Sequence, residues 1–117
     1  MDNPELKART KMFARRVMGV VRALPNDRIA NPIANQIVRS GTSVAANYRA
    51  ACFAKSRADF ISKIKICIEE TDETALWLEI ITEEKIIEPK RIEPLHQEAN
   101  ELLAIFLTSV KTARDNQ

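Results

Sequence analysis

The chain has 117 residues, enough for one hydrophobic core, and we predict a single domain over residues 1–117. Its formal net charge is +2, and its two glycines and five prolines are too few for a turn-rich β protein or a disordered chain. No apolar run is long enough to span a membrane, and the N-terminus shows no signal-like apolar segment. We therefore expect a cytoplasmic protein with no membrane partner.

The charge is divided unevenly along the chain. Residues 1–57 hold eleven Lys and Arg against three acids, whereas residues 58–117 hold seven Lys and Arg against thirteen acids. This division has two interpretations, which both stay open. The basic half can offer a surface to a polyanion, or the two halves can attract each other within a bundle or between subunits.

Helical periodicity predicts a first helix from about Pro4 to Leu24 and a second from about Asn31 to Ala54. The apolar face of the first helix comprises Leu6, Phe13, Val17, Val20, Val21 and Leu24. Asn31 is the predicted N-cap of the second helix, with Pro32 at its first helical position. Gly41 lies in the middle of the second helix, where it costs about 1 kcal/mol relative to Ala. That cost predicts a close contact with another helix at Gly41.

The third helix is predicted to begin at Ser56, which has capping-box spacing to Asp59. The fourth is predicted to begin around Glu93-Pro94, although Pro89 leaves this start open, and to end near Ala113. No segment has the signals of a strand. Four helices joined by short connections predict an all-α fold, an antiparallel up-down four-helix bundle.

The third helix is predicted to be apolar on two opposite faces. One face supplies the core, and the other carries Ile66, Leu76, Trp77 and Ile80. These four residues can lie under a neighbouring helix of the same chain or under another copy. Large apolar patches are unusual on soluble monomers, and Trp is enriched in interfaces. We therefore expect this face to be an oligomer interface.

Basic residues follow one face of the first helix and recur near the end of the second. The candidate nucleic-acid-binding residues are Lys7, Lys11, Arg15, Arg22, Arg49 and Lys55. They would contact phosphates of RNA or DNA with a strong salt dependence. We expect little sequence preference, because no base-reading helix or aromatic stacking platform is evident. The alternative is a solvated basic face without a ligand.

Polar residues line one side of the second helix. They can face a ligand, or they can bond to acids of the third helix, with Arg39 pairing to Glu70 or Glu73. The candidate structural polar network is Arg39, Ser40, Ser43, Asn47, Glu70 and Glu73.

Residues suited to catalysis or metal binding are sparse. His96 is the sole histidine and has no Glu three residues before it, so the Glu-x-x-His pattern of a di-metal bundle is missing. Cys52 and Cys67 have no evident base and orienting group, and we interpret both as reduced thiols. We expect no enzymatic activity, no bound metal and no cofactor.

Three stretches, RSGTSVAANYRAA, SRADFISKIKIC and ETALWLEII, resemble the bacterial four-helix-bundle family named for 23S rRNA intervening sequences. The accessory variability determinant proteins of diversity-generating retroelements are similar to this family. The resemblance implies a ring-like homopentamer of up-down bundles with a nucleic-acid or ribonucleoprotein role and no established catalysis. One departure is Ala50, where relatives commonly have Glu.

These observations lead to one expected function and one alternative. The expected function is a non-enzymatic homo-oligomeric bundle that binds RNA or DNA through a basic surface on helices one and two. The alternative is a protein-interaction scaffold or an accessory subunit, for example for a reverse transcriptase. In that case the basic face docks an acidic protein partner and its nucleic-acid affinity is incidental.

Overall fold

The computed structural model describes residues 3–116 and contains four helices, α1 (Pro4–Ala23), α2 (Ala30–Cys52), α3 (Arg57–Glu83) and α4 (Pro89–Asp115). No strand occurs within the described residues, so the predicted all-α fold of four helices is confirmed. Each helix packs against its neighbours in chain order, and α4 returns to α1 along the loosest seam. The molecule measures 48 × 20 × 20 Å. Between residues 3 and 116, no helix is long and apolar enough to cross a bilayer.

Contacts between α1 and α2 show their relative direction. Lys7, near the start of α1, lies beside Phe53, which directly follows α2. Val17, later in α1, meets Gly41 in the middle of α2. The two helices therefore run in opposite directions. α2 and α3 also run in opposite directions, because Val44 contacts Cys67 whereas Ser40, earlier in α2, contacts Thr74, later in α3.

The core is built from one apolar stripe on each helix. Of the six residues predicted for the apolar face of α1, four are buried, and Val21 and Leu24 are half-buried. Phe13 of α1 and Phe106 of α4 are fully buried, and the Tyr48 ring packs 6.2 Å from the Phe106 ring. These three aromatic side chains thus fill space between the helices.

The predicted cap of α2 is wrong. The helix begins at Ala30, and Asn31 and Pro32 belong to its first turn. The N-cap is Ile29, which has no capping side chain. The Asp27 carboxylate, two residues earlier, accepts hydrogen bonds through Oδ1 from the backbone N–H groups of Ile29 at 3.0 Å and Ala30 at 2.7 Å. The cap of α3 is confirmed, since Ser56 Oγ accepts from the backbone N–H of Asp59 at 3.0 Å.

The predicted start of α4 is also wrong. The helix begins at Pro89, and Pro94 lies inside it. Pro89 occupies the first helical position, where a backbone N–H would have no intrahelical acceptor. Proline therefore loses no helical hydrogen bond there. Ile92 is 2% exposed and Leu95 is 4% exposed, so the extra turn extends the core stripe. Full burial of a side chain such as Ile92 contributes about 1.5–3 kcal/mol, which offsets the hydrogen bond lost at Pro94.

Gly41 allows α1 and α2 to approach closely, as predicted. A Cβ atom at Gly41 would lie 2.8 Å from Cγ2, 2.9 Å from Cγ1 and 3.0 Å from Cβ of Val17. Val17 is fully buried, and valine has little freedom about χ1, so rotation cannot remove the overlap. A side chain at position 41 would therefore push the two helices apart.

We predict that Gly41→Ala lowers the free energy of unfolding by roughly 1 kcal/mol, because the overpacking cost exceeds the gain in helix propensity. Gly19 is a matched control, since a Cβ there meets nothing within 4 Å. Gly19→Ala should raise the free energy of unfolding by about 0.5–1 kcal/mol. Chemical denaturation measures both changes, and equal stabilisation by the two substitutions would contradict the close contact.

Candidate nucleic-acid interface

The helices α1 and α2 carry most of the basic charge. From Pro4 to Cys52 there are nine Lys and Arg against two acids, Glu5 and Asp27. No Asp or Glu occurs in α2. Because these two helices are adjacent, their outer surface is basic, whereas the acids are concentrated on α3 and α4.

Arg9 joins the basic half to the acidic half across the α1–α4 seam. Its Nε and Nη2 donate to the two carboxylate oxygens of Glu98 at 2.8 Å, and Nη2 also donates to Glu101 at 2.8 Å. The hydrogen bond to Glu98, supported by Glu101, raises the pKa of Arg9 above its ordinary value. This guanidinium is neutralised within the chain and stabilises the seam where the helices pack least closely.

Arg39 makes the equivalent connection between α2 and α3. It donates to Glu70 at 2.6 Å and to Glu73 at 2.7 Å. The indole N–H of Trp77 donates to the same Glu73 oxygen as Arg39, at 3.2 Å. The hydrogen bond from Arg39 is the main cause that lowers the pKa of Glu73, and the bond from Trp77 adds to it. The structure thus brings three members of the candidate polar network together at the rim of the bundle.

The remaining members of the candidate network form two separate contacts. Ser40 Oγ lies 2.8 Å from Thr74 Oγ1, and both residues are fully buried. Asn47 Nδ2 donates to the backbone carbonyl and to Oγ of Ser43 at 2.9 Å, within α2. Thr74 was not among the predicted network residues. Its position in the core stripe of α3 was a usable signal, because a buried hydroxyl requires a partner.

A groove between α1 and α2 collects three of the six candidate nucleic-acid-binding residues. This basic groove has a volume of about 340 Å³ and is lined by Lys7, Thr10, Lys11, Ala45, Ala46 and Arg49. The two alanines form a low floor between longer basic side chains. Lys11 and Arg49 are exposed, and neither forms an ion pair with any residue that the structure describes. The groove can therefore attract an anion without breaking an internal salt bridge at these two residues.

The other three candidates lie outside the basic groove. Arg15 and Arg22 are exposed farther along α1 and flank a shallow depression that also includes Arg16. Lys55 is exposed in the connection between α2 and α3, where its backbone N–H donates to Asp59. These residues extend the basic surface without converging on one site.

An exposed aromatic ring lies beside the basic groove. Phe53 is 77% exposed, and Lys7 Nζ lies 5.6 Å from the centre of its ring. The absence of an aromatic stacking platform stays a prediction, although one aromatic side chain is exposed next to the basic groove. α2 ends at Cys52, and Phe53 directly follows it with its side chain open to solvent.

The candidate interface residues of α3 do not all lie opposite the core. Ile66, Trp77 and Ile80 are half-buried, and the latter two pack against the core. They alternate at spacings of three and four with the two glutamates that bind Arg39, so they lie on the flank facing α2. Leu76 is the exposed member of the set, at 47%. The oligomer interface on α3 stays a prediction, and three of its four candidate residues are already half-buried within the chain.

The residues considered for catalysis are held in structural contacts. Cys67 is buried, its Sγ donates to the Val44 carbonyl at 3.7 Å, and burial raises the pKa of its thiol to about 12. His96 Nε2 lies 3.1 Å from Glu79 Oε2, between α4 and α3. Within the described part of the chain, no group of three His, Cys, Asp or Glu residues converges as metal ligands would.

Comparisons with known proteins agree with the resemblance seen in the sequence. The model of the family described as 23S rRNA-intervening sequence protein matches residues 4–108. A crystal structure from Bacteroides thetaiotaomicron VPI-5482, described as a protein with unknown function from the S23 ribosomal protein family, is similar with a TM-score of 0.84. It is 34% identical, over 90% of this chain and 97% of that chain. No curated protein matches the chain. The chain belongs to the 23S rRNA-intervening sequence protein family.

Proposed function

We propose that this protein is a non-enzymatic, homo-oligomeric helical bundle that binds RNA or DNA through the surface of α1 and α2. The observation that carries the proposal is the basic groove, in which Lys7, Lys11 and Arg49 from two helices face one space. Clustered cations release the counterions of a nucleic acid when they contact its phosphates, and this release drives binding.

The arrangement of the acids supports the same function. Carboxylates near the groove would repel phosphates, but α2 has none and α1 has only Glu5. Arg9 and Arg39 bind the glutamates of α4 and α3 on other sides of the bundle. The basic groove therefore keeps a positive potential although the net charge of the chain is only +2.

The surface suits contacts with a nucleic-acid backbone. From Lys7 to Arg22 the basic residues of α1 extend along about 22 Å, at 1.5 Å per residue. A row of this length can contact several successive phosphates. Phosphate contacts position a nucleic acid without reading its sequence, so the expected selectivity among sequences is low. The family description also names an RNA, the 23S rRNA.

We predict that Lys11→Glu with Arg49→Glu lowers the affinity for RNA in low salt by at least tenfold. The slope of log K against log salt concentration should fall by about 2, because two phosphate contacts are lost. Filter binding between 50 and 200 mM salt measures both quantities. The matched control is Lys65→Glu with Lys111→Glu, which makes the same charge change at exposed positions of α3 and α4.

An equal loss of affinity in the two double variants would contradict a binding surface on α1 and α2, since it would reflect net charge alone. The alternative function, a scaffold or accessory subunit for an acidic protein partner, predicts no RNA retention by the wild-type protein even in low salt. The same titration therefore separates the two functions.

The homo-oligomeric part of the proposal is supported by the outer side of α3. Leu76 is 47% exposed there, beside the half-buried Trp77 and Ile80. A second copy would cover this side chain and complete the burial of its neighbours. The family resemblance favours a pentamer. Five copies would bring five basic grooves together, which would raise the affinity for a long nucleic acid through multivalency.

We predict that the wild-type protein has a mass of about 66 kDa in solution, five times the 13.2 kDa of one chain. Leu76→Glu should reduce this mass, because a buried unpaired carboxylate would destabilise the interface. Leu107→Glu, at a residue 53% exposed on α4, is the matched control and should leave the mass unchanged. Light scattering after size exclusion measures all three proteins, and a monomeric wild type would contradict the proposal.

A further inference from the structure

We infer that Phe53 and the basic groove form one site for single-stranded nucleic acid, in which phosphates lie in the groove and a base stacks on the phenyl ring. This inference rests on the proposed function and specifies the form of nucleic acid that the surface binds. The feature that carries it is an exposed aromatic ring next to a row of cations.

Phe53 is the most exposed of the large apolar side chains that the structure describes, at 77%. A phenylalanine is normally buried, so its exposure beside a charged groove calls for an explanation. Its backbone is held at the end of α2, since its N–H donates to the Ala50 carbonyl and the N–H of Ala54 donates to the Ala51 carbonyl. The ring is therefore presented from a fixed helix end.

The ring and the basic groove are continuous through Lys7. This residue lines the groove, and its Nζ lies 5.6 Å from the centre of the Phe53 ring. The ammonium group occupies one part of the ring surface, and the high exposure of the residue leaves the rest to solvent. Arg49 precedes Phe53 by four residues, which is about 6 Å along the helix axis. A nucleotide whose phosphate lies between Lys7 and Arg49 can thus place its base near the ring.

This combination favours single strands over duplexes. An aromatic side chain stacks on bases that are not already stacked in a double helix, and such platforms beside basic grooves are typical of single-strand-binding proteins. In a duplex, the same groove can contact phosphates, but the ring finds no free base unless base pairs open. The ring should therefore contribute to binding single strands only.

The test uses the full-length protein with Phe53→Ala, Phe53→Trp and, as control, Leu107→Ala. The probes are a 12-nucleotide single-stranded RNA, the single-stranded DNA of the same sequence, and the matching RNA duplex. We expect Phe53→Ala to weaken binding of single strands by roughly 5- to 100-fold and to leave duplex binding within about twofold. Phe53→Trp should restore the affinity, and Leu107→Ala should change none of the three affinities. The salt slope should stay as in the wild type, because no phosphate contact is removed.

Three outcomes would overturn the inference. Equal effects of Phe53→Ala on single strands and duplex would show no contact with unpaired bases, and so would unchanged single-strand binding. A lower mass of the Phe53→Ala oligomer in light scattering would instead identify the ring as a contact between copies. Failure of the proposed function is distinguishable, since the wild type would then bind none of the probes in a salt-dependent manner.

Discussion

The close approach of α1 and α2 at Gly41 is the constraint on which the basic surface depends. With no side chain at Gly41, Val17 can lie against the backbone of α2, and a Cβ there would come within 2.8 Å of it. The alanines at positions 45 and 46 continue this small-residue surface and form the floor of the basic groove. Lys7, Lys11 and Arg49 then line the same groove. A larger residue at position 41 would separate the cations as well as the core side chains.

The uneven charge of the chain has two roles that the structure separates in space. Arg9 and Arg39 each bind a pair of glutamates three residues apart, one pair on α4 and one on α3. These ion pairs join the basic and acidic halves of the chain. They also hold the four glutamates, so that these carboxylates do not compete with phosphates for the other cations. Partly exposed ion pairs of this kind contribute about 0–1 kcal/mol each to stability, and they also determine which cations remain unpaired. Lys11 and Arg49, which form no ion pair with the described residues, lie on α1 and α2, where the proposed ligand binds.

Much of the fold could be predicted from the sequence because burial follows helical periodicity. The number of helices, the Ser56 cap and the close contact at Gly41 were all predicted correctly. The errors concern where two helices begin, and in each case one side chain decides it. The Asp27 carboxylate accepts hydrogen bonds at the start of α2, and the burial of Ile92 extends α4. The candidate site was less predictable. Periodicity gives the direction of a side chain from its own helix. The partial burial of Trp77 depends also on where the neighbouring helices lie, and the exposure of Phe53 depends on where α2 ends.

In the proposed complex, nucleic acid lies along the basic groove and reaches the Phe53 ring beside it. Ultraviolet crosslinking of the wild-type protein to single-stranded RNA, with mass spectrometric mapping of the adducts, locates the bound strand on the protein. We expect adducts on the first half of α1 and on the segment from Arg49 to Phe53. Adducts confined to the acidic helices α3 and α4 would contradict the account.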